Sequence, residues 1–547
     1  VILQTDGVSH DILTHAIRAG RVPTIARWLR SGSHSLGRWE ALLPPTTPAS
    51  QAGILHGDND AIPCFRWWEK ESGRMLVANH PSDATVMEER ISNGEGLLSP
   101  GGTSISNIFT GDAERAFLVQ STIRVKERGL GESKAFGYYF LSPYNYLTML
   151  ASFAAEVVKE MRHYRRQRDA GVWPLLHRGM PYPFVRAATN VALRAIGTSL
   201  IVEEMYRGAP VMYMDFTDYD EISHHSGPER PESLDALDGI DRQIGLLEKA
   251  AADAPRPYHF VLLADHGQCL GPTFLQVFGS SIEEVVRSLM GGPASVLAAT
   301  SAVEGWGPLN VFLSEVAETG GVAGAITRSA TSERQADGHV ELGPPSEAFS
   351  PRADDERKGD AREQPDLVVA AGGNLAHIYF NAVAERMQLE EVEEHHPGLT
   401  QALTNHPGVG VVIGRSREHG LLCAGADGVH YLEQDRVEGS DPLEIYGEYA
   451  AAAVRRLDEL EHVGDLAIIS PYDPETGMVV AYEELIGIHG GLGGVQTRPY
   501  LLHPSEWQMD LAPLVGAPMV YQQLRRWMER ELSLEFGKDQ EAGPDDA

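Results

Sequence analysis

Three short apolar runs in this chain each lead into an acidic residue. The runs cover residues 1–5, 210–214 and 260–264; Asp6 and Asp265 directly follow the first and third, and Asp220 lies six residues after the end of the second. Runs of this length and composition are typical of buried strands. Elsewhere apolar residues recur every three or four positions, which predicts amphipathic helices, as at Leu234, Leu237, Ile240, Ile244 and Leu247. Strands that alternate with helices indicate an α/β sandwich with a largely parallel sheet.

Metal-binding residue types accompany these strand ends. Ligands bind at the carboxyl ends of the strands in such sheets, so we expect the three acids to converge. Three histidines accompany them: His224 four residues after Asp220, His266 directly after Asp265, and His489 in a glycine-rich loop. Carboxylates and imidazoles bind metals of the zinc class, and three of each make two ligand sets. The rival residues nearby, which we interpret as structural, are His10, Asp215, Asp218 and His225.

A nucleophile is suggested by two adjacent threonines. A hydroxyl between two cations would lose its proton readily. Thr46 and Thr47 are the candidates, because they stand at the start of a helix-like run. Hydroxyls at a helix start commonly cap the helix, and the backbone N–H groups there also favour a bound anion.

The composition limits the binding partners. The formal net charge of the 547 residues is −32, which argues against non-specific binding to nucleic acid or to anionic membranes. An anionic substrate stays compatible, because bound metals reverse the local charge. The three cysteines, Cys64, Cys269 and Cys423, are far apart. We therefore expect neither a disulfide framework nor a cysteine metal site, and a reducing compartment is favoured.

The chain begins at Val1, inside the first predicted strand. We expect it to be a segment of a longer protein, cytoplasmic or membrane-associated through a segment that precedes Val1. Residues 138–158 form the longest apolar stretch, but polar residues interrupt it. We therefore predict no membrane-spanning helix.

Composition also divides the chain. Residues 110–208 carry many aromatic and basic residues and predict a helical insertion, whose segment 138–168 is either a solvated basic helix face or a contact with a membrane surface or partner. Residues 329–366 are rich in Ser, Pro, Gly and mixed charge, which predicts a disordered loop. The remaining predicted parts are a catalytic domain over 1–109, 209–328 and 367–535, a small α+β subdomain within it near 380–460, and an acidic tail at 536–547.

Five short motifs occur in one order over nearly the whole chain. They are Asp6-Gly7, Thr47 with Gly57 ten residues later, Asp220-x-x-x-His224-x-x-Gly227-Pro228, Asp265-His266-Gly267 and His489-Gly490. The ordered set resembles the alkaline phosphatase superfamily, and most closely its nucleotide pyrophosphatase/phosphodiesterase branch. The resemblance implies a three-layer α/β sandwich with a mostly parallel central sheet.

The resemblance also implies roles for individual residues. Two divalent metal ions, expected to be zinc, would be held by Asp220, His224 and His489 and by Asp6, Asp265 and His266. Thr47 would attack phosphorus in line and form a phospho-threonine intermediate. The implied activity is hydrolysis of phosphodiester or pyrophosphate bonds in a phosphorylated small molecule or polymer. We expect no nucleic-acid binding beyond such a substrate.

The chain departs from this branch around the nucleophile. The branch has Thr-x-Pro-Asn, whereas Pro48 directly follows Thr47 here. The spacing to Gly57 favours Thr47, and the spacing to Pro48 favours Thr46. The asparagine that would help to bind phosphate is missing, since residues 49–50 are Ala-Ser. The sulfatase branch is disfavoured, because its Cys/Ser-x-Pro-x-Arg run is absent.

The residues predict the metal ligands more narrowly than they predict the type of phosphate ester. No arginine can be assigned to the extra charge of a phosphate monoester, so a diester or pyrophosphate is favoured. The alternatives are a phosphoryl transferase or phosphomonoesterase on the same fold, and a non-catalytic relative that binds a phosphorylated polymer or partner. Residues 60–208 and 270–460, where specificity would reside, carry no recognisable motif, and the sequence does not indicate an oligomeric state.

Overall fold

The structure is a computed structural model that describes residues 1–123, 130, 133, 143–291, 294–299, 306–318, 327–329, 331, 335–336, 339–340, 342 and 364–541. Its strands are β1 Ile2–Thr5, β2 His34–Arg38, β3 Arg66–Glu69, β4 Arg74–Val77, β5 Thr103–Ile105, β6 Arg115–Phe117, β7 Met212–Phe216, β8 Val261–Leu263, β9 Cys269–Leu270, β10 Val296–Ala299, β11 Gln335–Ala336, β12 His339–Val340, β13 Leu367–Gly372, β14 Leu375–Phe380, β15 Val411–Ser416, β16 Gly420–Gly425, β17 Gly428–Tyr431, β18 Arg436–Gly439, β19 Leu466–Ile469, β20 Tyr472–Asp473, β21 Met478–Val479, β22 Gly487–Ile488 and β23 Tyr500–Pro504.

The α-helices are His10–Arg18, Pro23–Ser31, Thr47–His56, Pro81–Ile91, Pro143–Asp169, Tyr182–Ala187, Arg194–Arg207, Asp218–Ser226, Pro231–Ala252, Phe274–Phe278, Ile282–Leu289, Trp306–Glu318, Leu389–His395, Leu399–Thr404, Ala450–Glu459 and Ala517–Glu541. A π-helical turn covers Ala188–Leu193. Short 3-10 helices cover Gln120–Thr122 and Glu444–Tyr446.

A seven-stranded sheet forms the centre of the fold, in the order β2-β23-β8-β1-β7-β5-β6. The strands from β8 to β6 run parallel to one another, whereas β23 and β2 are antiparallel to their neighbours. Strand β1 lies between β7 and β8, with Ile2 opposite both Tyr213 and Val261. The mostly parallel central sheet is confirmed.

Helices cover both faces of this sheet. Alternate residues of a strand face opposite sides, so Leu3 and Ile2 of β1 enter different cores. Leu3 packs in a core with the helices His10–Arg18 and Pro231–Ala252. Ile2 packs in the other core with the helices Thr47–His56 and Ala517–Glu541. The three-layer α/β architecture is therefore confirmed.

A second sheet has eight strands in the order β10-β13-β14-β19-β15-β16-β17-β18. Its β10–β13 pair is parallel and its other pairs are antiparallel. This sheet takes in strands from both sides of residues 380–460, so it is larger than the small subdomain expected there. Short turns join β13 to β14 and join β15 through β18, but β14, β19 and β15 meet across long stretches of chain, which local patterns do not reveal.

The segment 110–208, predicted to be a helical insertion, includes parts of the central sheet and of its core. Strand β6 lies after residue 110 and pairs with β5. The helix Arg194–Arg207 places Ile196 and Leu200 in the central core. The helices Pro143–Asp169 and Tyr182–Ala187 pack against each other. None of the described helices is both long and apolar enough to cross a membrane.

Some predicted segments lie outside the described residues. They are most of the loop at 329–366, residues 138–142 of the predicted contact segment and residues 542–547 of the acidic tail. Within the loop, the described strands β11 and β12 pair antiparallel. The helix Ala517–Glu541 includes the beginning of the tail.

His56 lies at the end of the helix Thr47–His56, between two carboxylates. Its Nε2 is 3.1 Å from Glu88 Oε1, and its Nδ1 is 3.7 Å from Asp112 Oδ2. Burial lowers the pKa of this imidazole, but Asp112 and Glu88 outweigh burial and raise the pKa to about 9. A protonated histidine is also favourable at the C-terminal end of a helix.

We expect His56→Gln to destabilise the protein by about 3 kcal/mol at pH 6 and by much less at pH 9.5. The pKa of His56 in the folded protein lies above the ordinary value of 6.5. The stabilisation is therefore complete below pH 6.5 and is lost as the pH rises through 9. Denaturant unfolding of both proteins at the two pH values measures this difference. An equal difference at both pH values would mean that the charge of His56 does not stabilise the fold.

Candidate active site

The acids that follow β1 and β8 lie side by side, and Asp220 joins them. Strand β1 pairs with both β7 and β8, so the residues after these three strands are neighbours. Asp265 Oδ1 accepts a hydrogen bond from the N–H of Gly7 at 3.3 Å. Gly7 has φ +71°, and a Cβ there would lie 2.3 Å from Asp220 Oδ1. Only glycine therefore allows the turn after Asp6 to approach Asp220 this closely.

The first predicted ligand set meets at this point. Asp220 and His224 are four residues apart on the helix Asp218–Ser226, which places them on one helix face. His224 Nε2 lies 2.8 Å from Asp220 Oδ2. His489, directly after β22, reaches the same place, and its Nε2 lies 3.3 Å from Nε2 of His224. The structure thus brings Asp220, His224 and His489 together.

The second predicted set lies beside the first. His266 Nε2 is 3.4 Å from Asp265 Oδ2 and 3.6 Å from Asp6 Oδ1. The rings of His266 and His489 stack with their centroids 3.8 Å apart. Ligand atoms of Asp6, Asp265 and His266 lie within 4.8 Å of one another, and so do those of Asp220, His266 and His489. His266 therefore stands between the two sets.

Backbone carbonyls determine the tautomer of all three histidines. The Nδ1–carbonyl distances are 2.7 Å from His224 to Gly487, 3.0 Å from His489 to Pro45 and 3.1 Å from His266 to Gly267. A carbonyl oxygen only accepts, so each Nδ1 carries the hydrogen, and a neutral ring then offers Nε2 as a ligand. Burial lowers the pKa of His266, which favours the neutral form.

The cluster has the donor set and the charge that two divalent cations require. Asp265 Oδ2 is buried and has no hydrogen-bond partner among the described residues. Burial, followed by the neighbouring carboxylates, raises the pKa of Asp6 and of Asp215 well above the usual range. Cations would compensate these buried carboxylates and would accept the lone pairs of the Nε2 atoms. The residues present therefore fit two divalent metal ions.

Thr47, rather than Thr46, faces this cluster. Thr47 Oγ1 lies 3.1 Å from His266 Nε2 and donates a hydrogen bond to Asp6 Oδ1 at 3.4 Å. Thr46 is the residue before the helix, and its Oγ1 is buried with no hydrogen-bond partner among the described residues. The first N–H groups of the helix Thr47–His56 also favour an anion beside Thr47.

A cavity of about 880 Å³, open to solvent, adjoins Asp6, Thr47 and Asp220. Its wall combines apolar residues with amide and hydroxyl groups, including Phe65, Asn79, Asn107, Leu118, Gln120, Thr189, Leu193 and Val311. Thr189 belongs to the π-helical turn Ala188–Leu193, and such turns are frequent at functional sites. The cavity is therefore the candidate substrate pocket.

A comparison with known families identifies the chain. The sequence profile of type I phosphodiesterase / nucleotide pyrophosphatase matches residues 1–371, which is more than half of the chain. This protein belongs to that family. It is accordingly a phosphoric ester hydrolase of the alkaline phosphatase superfamily. The family's enzymes contain two metal ions, which agrees with the two ligand groups. No curated protein sequence matches the chain.

Solved structures resemble nearly the whole of this phosphodiesterase-family chain. The alkaline phosphatase PafA aligns with a TM-score of 0.50 and 11% identity over 96% of this chain and 95% of its own. Phosphonoacetate hydrolase from Sinorhizobium meliloti 1021, bound to phosphonoformate, aligns with a TM-score of 0.46 and 14% identity over 96% and 94%. Murine ectonucleotide pyrophosphatase / phosphodiesterase 5 aligns with a TM-score of 0.43 and 10% identity over 96% and 94%. At 11% identity, the likeness to PafA concerns the fold alone.

The four alternative ligand residues considered in the sequence make other contacts in this phosphodiesterase. Asp215 Oδ2 accepts a hydrogen bond from Gln51 Nε2 at 2.9 Å. Asp218 pairs with Arg194 at 2.7 Å. The ring of His225 packs on that of Tyr182 with the centroids 4.2 Å apart. His10 has its Nδ1 3.5 Å from Asp11, at the start of a helix. These contacts leave the six clustered residues as the predicted ligands.

Sequence patterns missed the residues that support this centre. Gln268 donates its amide hydrogen to Asp220 Oδ1. Asn374 Oδ1 accepts the N–H of Gly491 at 2.9 Å, and its Nδ2 donates to the carbonyl of Leu492 at 3.1 Å, which holds the loop that carries His489. A separation of 117 residues between Asn374 and Gly491 leaves no local signal of this contact.

The turn between β13 and β14 also packs closely against the backbone of His489. Gly373 has φ +64°, and a Cβ at this position would lie 1.5 Å from the carbonyl oxygen of His489. We expect Gly373→Ala to displace His489 and to lower kcat by about a hundredfold or more, because misplacement by about 1 Å costs this much. Turnover of a chromogenic phosphodiester and zinc content measure the effect.

The matched control is Gly398→Ala. Gly398 has φ +81° but nothing within 4 Å of a Cβ at this position. It therefore incurs a similar backbone strain of about 1–2 kcal/mol without a collision. Equal activity losses in the two folded variants would show that backbone strain, and not the contact with His489, is responsible.

Proposed function

We propose that this protein hydrolyses phosphodiester or pyrophosphate bonds with Thr47 as the nucleophile. The observation that carries the proposal is the position of Thr47 Oγ1, 3.1 Å from His266 Nε2 and 3.4 Å from Asp6 Oδ1. Thr47 also lines the cavity, so its hydroxyl meets the metal ligands and the substrate space at one point.

Two divalent cations, for which we expect zinc, would be held by the six clustered residues. The two sets are Asp220, His224 and His489, and Asp6, Asp265 and His266. Such cations, when bound, neutralise phosphate charge and lower the pKa of nearby hydroxyls. The neutral tautomers of the histidines and the buried carboxylates support this assignment.

The residues of the chain supply the nucleophile and its orientation. Thr47 Oγ1 forms a bond to phosphorus while the bond to the leaving oxygen breaks in line with it. The hydroxyl proton moves to Asp6 Oδ1, the acceptor of the Thr47 hydrogen bond. The leaving oxygen takes a proton from solvent. Water then attacks phosphorus while the bond from phosphorus to Thr47 Oγ1 breaks. Thr47 Oγ1 takes back the proton from Asp6 Oδ1, the water gives up a proton to solvent, and the phosphorylated product leaves.

The charge of the cavity wall favours a diester or pyrophosphate over a monoester. Among the described residues that line it, Arg194 is the one arginine or lysine, and Asp218 pairs with it at 2.7 Å. Glu221 lines the same cavity. A terminal phosphate carries an additional negative charge that this wall would repel, whereas an esterified phosphate carries less.

Zinc-reconstituted protein tests the proposal with three substrates: bis-p-nitrophenyl phosphate, p-nitrophenyl phosphate and a nucleoside triphosphate. We expect metal-dependent turnover with a higher kcat/KM for the diester or the pyrophosphate than for the monoester. A higher value for the monoester would contradict the substrate class. Transfer of phosphate to an added alcohol far in excess of transfer to water would indicate a phosphoryl transferase.

A further inference from the structure

Two acidic side chains of the helix Pro143–Asp169, Glu156 and Glu160, are turned toward the protein. Glu160 is fully buried and forms ion pairs with Arg178 and Arg186. Arg186 Nη2 is also 2.9 Å from Glu156 Oε1, and Arg178 donates to the buried Gln167. These bonds fix which face of the helix points inward. The opposite face of the helix therefore points to solvent.

The solvent face of this helix is apolar over its first five turns. Its residues, called here the apolar stripe, are Tyr144, Leu147, Ala151, Ala154, Val158 and Met161. Tyr144 is 77% exposed, Leu147 64%, Val158 44% and Met161 40%. An ordinary surface helix has the reverse arrangement, with apolar residues inward and polar residues outward. An exposed apolar row of this kind indicates a binding surface.

The spacing of the apolar stripe indicates a second helix as its partner. Its positions are separated alternately by three and four residues, which is the seam of a two-helix coiled coil. Leu150, which is 45% exposed, widens the apolar stripe by one position on one side, and the exposed polar residues Thr148 and Ser152 bound it on the other. A helix that lies on a membrane usually presents a broader apolar face than this. The net charge of −32 also disfavours an anionic membrane.

The apolar stripe is complementary to itself when two copies run antiparallel. Large residues then meet large ones and small residues meet small ones, in the pairs Tyr144–Met161, Leu147–Val158 and Ala151–Ala154. Such pairing is symmetric about a two-fold axis, so each contact occurs twice. The central alanines allow the two helices to approach closely, and the larger residues on either side pack around them.

Exposed charge also favours the antiparallel arrangement. Arg162, Arg165 and Arg166 follow the apolar stripe and are exposed, whereas the first turns of its face carry no charge. Parallel helices would place the two arginine groups side by side. Antiparallel helices place them at opposite ends of the contact, about 28 to 40 Å apart along the axis at 1.5 Å per residue.

We propose that this protein forms a two-fold symmetric homodimer through antiparallel pairing of the apolar stripe. The contact is short, so we expect a weak dimer with a dissociation constant on the order of 10 µM. The proposal does not depend on the catalytic assignment, because the helix contributes no residue to the predicted metal centre.

Sedimentation equilibrium from about 1 to 200 µM tests the dimer. We expect the double variant Leu147→Glu/Val158→Glu to be monomeric over this range while its circular dichroism and diester hydrolysis match the wild type. Leu246→Glu is the matched control, because Leu246 is 48% exposed on another helix. This control should dimerise like the wild type. A wild type that is monomeric at 200 µM, or a dimer that the double variant retains, would overturn the proposal.

Cysteine cross-linking tests the antiparallel register. The three native cysteines are buried, so introduced ones dominate the reaction. Tyr144→Cys/Met161→Cys should form a disulfide-linked dimer on mild oxidation. Each single variant should not, since its two copies lie about 26 Å apart along the axis. Efficient cross-linking of either single variant would overturn the antiparallel register. Flotation of monomeric protein with phosphatidylcholine/phosphatidylserine vesicles, lost in the double glutamate variant, would replace the dimer with a membrane contact.

Discussion

Thr47→Ala should lower the rate of diester hydrolysis by at least about a thousandfold while zinc content stays near two per chain. The hydroxyl is the one group at the cavity wall that lies within 3.1 Å of His266 Nε2 and 3.4 Å of Asp6 Oδ1 among the described residues. Its removal deletes the attacking oxygen but none of the six predicted metal ligands. Steady-state kinetics with bis-p-nitrophenyl phosphate and elemental analysis of the same preparation measure the two effects.

Thr46→Ala is the control for this prediction. Thr46 Oγ1 is buried and has no hydrogen-bond partner among the described residues, so its loss should change turnover by less than about threefold. Thr47→Ser should keep part of the activity, because it retains a hydroxyl. If Thr46→Ala were inactive and Thr47→Ala active, the nucleophile would be assigned to the wrong threonine.

Asp265→Asn should have opposite effects on stability with and without metal. Asp265 is fully buried among other carboxylates, and its Oδ2 has no hydrogen-bond partner among the described residues. In metal-free protein the mutual repulsion is uncompensated, as the raised pKa of Asp6, caused by burial and then by Asp265, indicates. We therefore expect the variant to melt several degrees above the wild type in chelator. With zinc, the wild type should be the more stable protein, because it binds the metal more tightly.

Zinc titration measures the other half of this prediction. Loss of one anionic ligand should weaken binding at one of the two sites by at least about a hundredfold, so about one zinc ion per chain should survive dialysis. Asp253→Asn, at an exposed position just after the helix Pro231–Ala252, should change neither metal content nor the order of melting temperatures. Equal metal content in Asp265→Asn and the wild type would exclude Asp265 as a ligand.

Local pattern was sufficient for the central sheet and for much of the candidate site. Apolar runs that end in acid predicted β1, β7 and β8, and a parallel sheet necessarily places the ends of adjacent strands together. The four-residue spacing of Asp220 and His224 likewise determines their shared helix face. Residue type and strand position therefore predicted which side chains converge before any distance was known.

Local pattern could not choose between the two threonines. The spacing to Gly57 favoured Thr47, whereas the spacing to Pro48 favoured Thr46. The start of the helix favours Thr47 for the proposed role, because it directs Thr47 Oγ1 toward His266 and leaves Thr46 Oγ1 buried with no hydrogen-bond partner among the described residues. A rotation of one residue on a helix is about 100°, which sequence spacing cannot resolve when the helix boundary is uncertain.

The sequence by itself determined the three strands that lead to the candidate site, the ligand residue types and their order, since these depend on neighbours a few positions apart. Only the tertiary structure decided what holds His489 in place and which residues line the candidate substrate pocket. Asn374 and Gly373 reach the His489 loop from a second, mostly antiparallel sheet. Asn107 and Thr189 join Thr47 around one cavity from separate elements. Such contacts between distant segments leave no trace in local periodicity, because each partner's position depends on how the whole chain packs.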